Sequence, residues 1–460
     1  MIGIRLNWFR KIALLATFGL FLYHTGAQNS QTFYFMEDAP GAALMNPAFA
    51  PDDDLVLGLP VISGISIGFH NDFKLKNLYS KGNSLFSSDT AKMDLNSFYD
   101  VLSGQNAVNI KADALMFYFG IRNKKNQYSF FMNEKAWFQG QFDKKLVKFF
   151  MEGTKPYYEE GTDTDLGIFS FDIMQYREFG LGISRKVTNK LTGGAALKIL
   201  FGRIHMEAEE LAFQIQTSPA VEKLYIRPSG EIYISGPVSY EKDTVDQSER
   251  LKSEVIPADY FFNFRNLGVA ADLGIRYQYN ERFRFSASVT DLGFLHFSKN
   301  NYLVHAANSL EYEKESLTQV IGPEDSYLFR KAFRDSIPFM THSESTDARV
   351  IPLPVNLYLG GNYRIDRKWE VGFSGKLCIL KNSVYPVATL AAKASFSDNS
   401  TLIFSNSIIR GRYINPGFGW SYTSPIMHFY VVTDNIVALF SPSSVKNLNL
   451  QLGINLLLNH

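Results

Sequence analysis

The last fourteen residues, 447–460, read NLNLQLGINLLLNH and alternate between apolar and polar positions. Leu448, Leu450, Leu452, Ile454, Leu456 and Leu458 occupy every even position. Asn447, Asn449, Gln451, Gly453, Asn455 and Asn459 take the odd ones, with Leu457 the exception. A strand sends alternate side chains to opposite faces, so this one carries an aliphatic face and a neutral polar face. A helix would mix Leu and Asn around its circumference, so period two is the better fit. Thirteen residues rising about 3.3 Å each, tilted near 40°, cover about 33 Å along a membrane normal, enough for an apolar band of about 25 Å. The six even-numbered aliphatics are therefore expected to face lipid on a barrel's closing strand. The stretch by itself also suits an amphipathic strand of a soluble sandwich.

The rest of the chain decides. Leu55, Leu57, Leu59, Val61, Ile65, Ile67 and Phe69 share one face of an expected first strand, whose other face also carries Val56, Pro60 and Ile62. Pro60 has no N–H for a ladder, so two-sided pairing is expected only after it. A long polar connection, 71–111, comes next. Strands are then expected at 112–122 and 128–139, and a hairpin at 175–187 and 190–205 around Thr188-Asn189. Two extended runs in 207–235 are expected to project beyond the membrane. Near-perfect apolar faces return at 267–279 and 283–289, and a meander runs from Leu353 to the C-terminus. Residues 143–152 and 325–337 read as short helices, and 236–258 and 299–349 as long charged or polar loops. Short turns alternating with long excursions predict an all-β transmembrane antiparallel barrel of about fourteen strands, with tight periplasmic turns and long external loops.

Composition narrows the class further. Arg5, Arg10 and Lys11 precede a twelve-residue apolar run, and Thr25-Gly26-Ala27 supplies small residues before Gln28, so 1–27 is read as a secretory signal peptide. Residues 28–54 are then a periplasmic or lumenal lead, and 55–460 a single barrel domain. Removing the signal lowers the formal net charge from +1 to about −2, which excludes bulk electrostatic attraction to nucleic acid. The one cysteine, Cys378, rules out a disulfide framework. Aromatic residues make up 15% of the chain, as the interfacial girdles of a membrane barrel require.

Several short motifs occur in a telling order. Asn46-Pro47-Ala48 comes after the signal, then Gly58-Leu59-Pro60, Thr290-Asp291-Leu292-Gly293, Thr433-Asp434-Asn435, and Gly453-Ile454-Asn455 in the final strand. In this the chain resembles a family of Bacteroidetes outer-membrane barrels of unknown function. It is more distantly similar to the PorP/SprF proteins of type IX secretion and to barrels of the fatty-acid-transporter type. The resemblance implies an outer-membrane location and a barrel fold and names no reaction.

No motif supports catalysis. Gly64-Ile65-Ser66-Ile67-Gly68 matches G-x-S-x-G, but that motif needs a strand-to-helix turn, and here it lies inside an alternating strand. The eight histidines form no H-E-x-x-H. Asp52-Asp53-Asp54 and Asp163-Thr164-Asp165 lack a calcium-loop context and read as solvated charge. Asp291 before Leu-Gly reads as a strand-end turn or cap, and His296 near it has no assignable serine partner. No enzyme activity, cofactor or metal is expected. Two roles remain, a channel for small or apolar solutes and a structural or docking component of a secretion-type surface assembly. Expected partners are outer-membrane lipid, the barrel assembly machinery during insertion and, for the second role, a secretion-system or surface protein. Nucleic acid is excluded.

Overall fold

The chain, described by a computed structural model, closes into a fourteen-stranded antiparallel transmembrane β-barrel. The structure describes residues 31–458 except 52, 61, 79–94, 153–162, 219–222, 243–248, 254–261, 307–308, 314–340, 381–382 and 410–413. The expected signal peptide and the 325–337 helix lie outside the described residues.

The wall strands are β1 (Leu55–Gly58 and Gly64–Asn71), β2 (Gln105–Asn123), β3 (Asn126–Asp143), β4 (Thr164–Lys186) and β5 (Leu191–Ser218). They continue with β6 (Leu267–Gln278), β7 (Phe283–Phe297), β8 (Val355–Arg364), β9 (Trp369–Leu380) and β10 (Ser383–Ser397). The last four are β11 (Ser400–Ile409), β12 (Pro416–Thr423), β13 (Met427–Thr433) and β14 (Asn447–Leu458). Each pairs with its sequence neighbours, and β14 closes the ring on β1, with Leu55 opposite Leu458 and Ile65 opposite Leu452. Both ends of the wall therefore meet at the short-turn rim.

Alternation explains the two surfaces. The outer face is aliphatic and exposed, with Leu181 67%, Leu197 72% and Leu390 66% accessible. At the short-turn end Tyr128, Tyr279, Phe283, Trp369, Phe396 and Trp420 form an exposed aromatic belt, the girdle that an interface between hydrocarbon and headgroups favours. The inner face is buried and carries polar residues, as at Asn447, Asn449 and Asn455 of β14, together with apolar clusters.

Several sequence expectations are corrected. β1 is not one strand that gains two-sided pairing after Pro60. Leu55–Gly58 already pairs with both β2 and β14, the ladder stops after Gly58, and pairing resumes at Gly64. The connection expected to run to 111 ends earlier, because β2 begins at Gln105, preceded by a helix at Leu95–Val101. The 175–205 hairpin extends to Thr164 and Ser218, since the backbone ladder continues where apolar alternation lapses. Beyond the wall it joins short strands at Lys223–Ser229, Glu231–Ser235 and Asn301–Ala306 in an external lobe. The 236–258 loop contains a ribbon, Val238–Lys242 paired with Glu249–Ser253. The helix at Lys144–Glu152 matches expectation.

Candidate functional site

The lead segment fills the bore. Residues 31–50 fold into three 3-10 turns, Thr32–Phe35, Pro40–Leu44 and Pro47–Phe49, two of them opened by a proline whose missing N–H costs nothing there. Phe33, Tyr34, Phe35, Met45 and Phe49 are buried in one cluster with Tyr358, Ile403 and Tyr430 of the wall. Tyr34 stacks on Tyr358 at 5.5 Å, and its hydroxyl is 3.0 Å from Ser286 Oγ. Burial pushes that phenol up to about 12, so it stays a neutral hydrogen-bonding group.

Polar groups fix the plug at three heights. Toward the long-loop end, Asp434 accepts the N–H groups of Gln31 and Thr32, each at 2.8 Å. Midway, Asn46 accepts the N–H of Ala48 through Oδ1 and donates through Nδ2 to the Ile275 and Ala287 carbonyls, while Ser288 Oγ donates to Met45 O. A side chain at Gly274 would collide with Asn46 Oδ1, and one at Gly194 with the Pro47 backbone, so Asn46-Pro47-Ala48 is seated against bare β5 and β6 backbone. Toward the short turns Glu37 lies 3.1 Å from Arg284 Nε and 3.6 Å from Arg276 Nη1, and accepts from Asn362 Nδ2 at 2.7 Å.

A buried ion cluster joins inward side chains of the neighbouring strands β3 to β8. Lys135 of β3 lies 3.0 Å from both Asp291 and Glu178. Lys198 of β5 lies 2.6 Å from Asp272, 2.9 Å from Asp291 and 3.9 Å from Glu178. Asn356 donates to the other Asp291 oxygen at 3.3 Å. The cluster depends on a β-bulge. Asp272 alone faces Thr290 and Asp291, the Asp291 N–H donates to Asp272 at 2.7 Å, and Asp291 has φ +61°. An extra residue in one strand reverses the facing of every residue beyond it. Inward positions are thus Ser286, Ser288 and Thr290 before the bulge, and Leu295 and Phe297 after it. Asp291 is therefore not a strand-end turn or cap. His296 falls on the outer face, away from it, while Leu292 is 54% exposed and Gly293 packs against Ala270. A cavity of about 30 Å³ beside the cluster is lined by Trp137, Tyr176, Asn356 and Cys378 among others.

The wall itself is interrupted beside the plug. Between Gly58 and Gly64, where β2 has only Met116 and Phe117, the described residues Leu59, Pro60, Ile62 and Ser63 leave the ladder. They turn back on themselves, with Ser63 N donating to Leu59 O, and Pro60 and Ile62 are exposed on the outside. The closing strand holds this excursion. Ile454 N donates to Ile62 O at 2.8 Å and Asn455 Nδ2 to Ser63 O at 3.3 Å. Gly453 permits it, because a Cβ there would strike Ser63 O. Behind the break the inner face turns apolar, with Val56, Leu115, Tyr118 and Leu457 packed against Leu44 of the plug. Tyr430 continues this surface, with its ring 4.9 Å from Phe33 and its hydroxyl between Gly64 of the wall and Gly41 of the plug.

The residues singled out in the sequence thus gather in the bore and at its broken seam. Asn46, Pro47 and Ala48 form the plug's middle contact, Asp434 its outer latch, and Asn435 donates to Asn447 O. Leu448, Leu450, Leu452, Ile454, Leu456 and Leu458 lie on the outer face, partly or well exposed. Ser66 stays within a strand. Lys135, Lys198, Glu178, Asp272, Glu37 and the wall arginines were missed. Their signal was a charge at an inward-facing strand position. Among the described residues no group of three or more His, Cys, Asp or Glu is arranged to hold a metal ion.

Solved barrels of similar outline are known. The toluene transporter TbuX of Ralstonia pickettii shares 11% identity over 92% of this chain and 95% of its own, with a TM-score of 0.43. A Pseudomonas aeruginosa FadL homologue shares 8% over 94% and 98%, also at 0.43. The Pseudomonas putida toluene transporter TodX shares 10% over 91% and 94%, at 0.38. No curated protein matches the chain. Residues 47–434, from Pro47 of the plug to its Asp434 latch, match one family model, and the chain belongs to that family, described as a family of unknown function (DUF5723).

Proposed function

We propose that this protein is an outer-membrane transport barrel for small apolar solutes, gated by its plug and open sideways at the break in β1. The carrying observation is an interruption of the wall that is backed by apolar side chains continuous with the plug. Elsewhere the inner face mixes polar side chains, as at Thr389, Ser407, Asn447 and Asn449, with a separate apolar cluster around Trp137, Tyr176, Leu200 and Phe297. Where β1 is interrupted, Leu115, Tyr118 and Tyr430 back the gap and connect it to the plug's aromatic core. Apolar side chains behind an interruption that faces hydrocarbon favour an apolar solute, which gives up no hydrogen bonds to water on entering. The plug occupies the bore, so movement of the plug is the gating step. The long loops then face outside and the short turns the periplasm. The docking alternative has no observation of its own beyond the occupied bore.

The test pairs two variants in a Cys378→Ser background. In Thr32→Cys/Ser405→Cys the native hydroxyl oxygens are 2.7 Å apart, close enough for a disulfide that pins the plug. Deleting residues 60–63 joins outward Leu59 to inward Gly64 and makes β1 continuous. Uptake of N-phenylnaphthylamine should fall to background when the cysteine pair is oxidised and return on reduction. It should stay at background in the deletion, with heat-modifiability on gels showing that each variant is folded. Parent-like uptake in both folded variants overturns the proposal.

A further inference from the structure

Below the plug, at the short-turn mouth, lies a cavity of about 490 Å³ lined by seven cationic side chains and three carboxylates. The cations come from separate parts of the wall. Lys125 sits in the β2–β3 turn, Lys186 and Lys190 flank the β4–β5 turn, and Arg276, Arg284 and Lys393 lie on β6, β7 and β10. The carboxylates do not balance them. Glu37 is held by Arg276 and Arg284, and Glu370 lies 2.9 Å from Arg284 and 4.0 Å from Arg364. Among the described residues no carboxylate lies within 4.0 Å of the Lys125, Lys190 or Lys393 ammonium groups. Like charges gathered in a concave, protein-walled space repel one another and focus a positive potential, which an entering anion relieves. The clamp around Glu37 shows that this lining already binds a carboxylate through charge-assisted hydrogen bonds.

We infer that this vestibule binds a small multivalent anion presenting carboxylate or phosphate oxygens, drawn from the compartment that the short turns face. The volume suits a small molecule, and the lysines, converging from different turns, suit a ligand with several anionic groups. The site is distinct from the apolar route proposed above and stands or falls without it.

Citrate and, separately, pyrophosphate are titrated calorimetrically into the full-length protein in a neutral detergent, at constant ionic strength, with acetate as the monovalent control. Saturable binding of citrate or pyrophosphate is expected, and the tighter of the two names the preferred oxygen group. Lys125→Gln/Lys190→Gln/Lys393→Gln should weaken it by about tenfold or more. Asp38→Asn, which removes an exposed carboxylate from the lining without touching the Glu37 clamp, should tighten it. Heat-modifiability verifies that the variants are folded barrels. Absence of saturable binding by both anions, equal binding of acetate, or a folded triple variant that binds like the parent overturns the inference.

Discussion

Thr32 and Asp434, 402 residues apart in sequence, are joined twice: Asp434 Oδ1 accepts both the Thr32 N–H and the Thr32 hydroxyl, each at 2.8 Å. The Gln31 N–H binds the other carboxylate oxygen, so one side chain at the outer end of β13 holds the first described turn of the plug. Bonds to a charged acceptor contribute about 1.5–3 kcal/mol each. Asp434→Ala should therefore loosen the plug without unfolding the wall. In planar bilayers the variant is expected to show frequent conductance steps, while the parent stays closed. A variant as quiet as the parent would mean that the latch does not restrain the plug.

The plug's middle contact gives a steric counterpart. Any side chain at Gly274 meets Asn46, and the wall there is paired β-sheet that cannot retreat. Gly274→Val suits a strand, so the barrel should still form and remain heat-modifiable. The plug, denied its seat, should become open to protease in detergent, with cleavage between residues 31 and 54. Full protection of that segment in the folded variant would contradict the close approach.

Acid should not release the plug through Glu37. Burial raises its carboxyl above the ordinary glutamate value, against the opposing pull of Arg284 and Arg276, with Asp38 adding to the rise and Lys393 to the fall. A raised folded-state value means that the stability contributed is fully present below the unfolded value of about 4.3 and is lost as pH climbs through the folded value. Protection of the plug from protease should therefore be at least as strong at pH 5.5 as at pH 7.5, and Glu37→Gln should remove the Glu37 part of any difference. Weaker protection at pH 5.5 in the parent, absent from Glu37→Gln, would reverse the sign.

The ion cluster is predicted to hold neighbouring wall strands together. Lys198 contacts three carboxylates at once. Lys198→Met leaves Lys135 to Glu178 and Asp291 and strands Asp272, whose ion pair is with Lys198, and breaking such a buried group costs about 3–5 kcal/mol. Folded barrel should fall steeply in this variant, and Lys198→Met/Asp272→Asn should recover part of the loss by removing the stranded charge. Equal yields for parent and single variant would show that water, not Lys198, compensates these carboxylates.

How far the sequence reveals this architecture depends on the element. The wall is legible because a lipid-facing strand must be apolar at every second position, and β14 obeys that rule over its whole length. The β7 bulge also left a mark. Apolar outward positions are odd at Phe283, Phe285 and Val289 and even at Leu292 and Phe294, a change of phase that falls on Thr290-Asp291. The break in β1 shows as Val56, Pro60 and Ile62 on the face expected to be polar. The plug left no such trace. Its 3-10 turns impose no long period, and Phe33, Tyr34 and Phe35 are consecutive because the bore surrounds them on every side. Nor does local sequence reveal that Glu37 meets Arg276 and Arg284, since that pairing exists only once the ring has closed.

The closing strand offers the sharpest test of which face meets lipid. Leu452 lies on the outer face, opposite Ile65 of β1 and Val431 of β13, whereas Gln451 next to it points into the bore beside Val432 and Ser66. Leu452→Arg places a charge in hydrocarbon at a cost of about 2–4 kcal/mol near mid-membrane. Gln451→Arg places the same charge on the inner face, within reach of the polar Asn449 and Ser66, and should cost far less. Compared with the parent, outer-membrane abundance of Leu452→Arg should drop several-fold, while Gln451→Arg stays near the parental level. Long side chains near the rim can bend their charge toward water, so the same substitution at Leu458, close to the short-turn end, should be milder than at Leu452. This gradient separates lipid from a protein core. A core facing Leu452 would unfold the domain without any dependence on height along the strand. Equal abundance of the Leu452 and Gln451 variants would show that the aliphatic row of β14 does not face lipid.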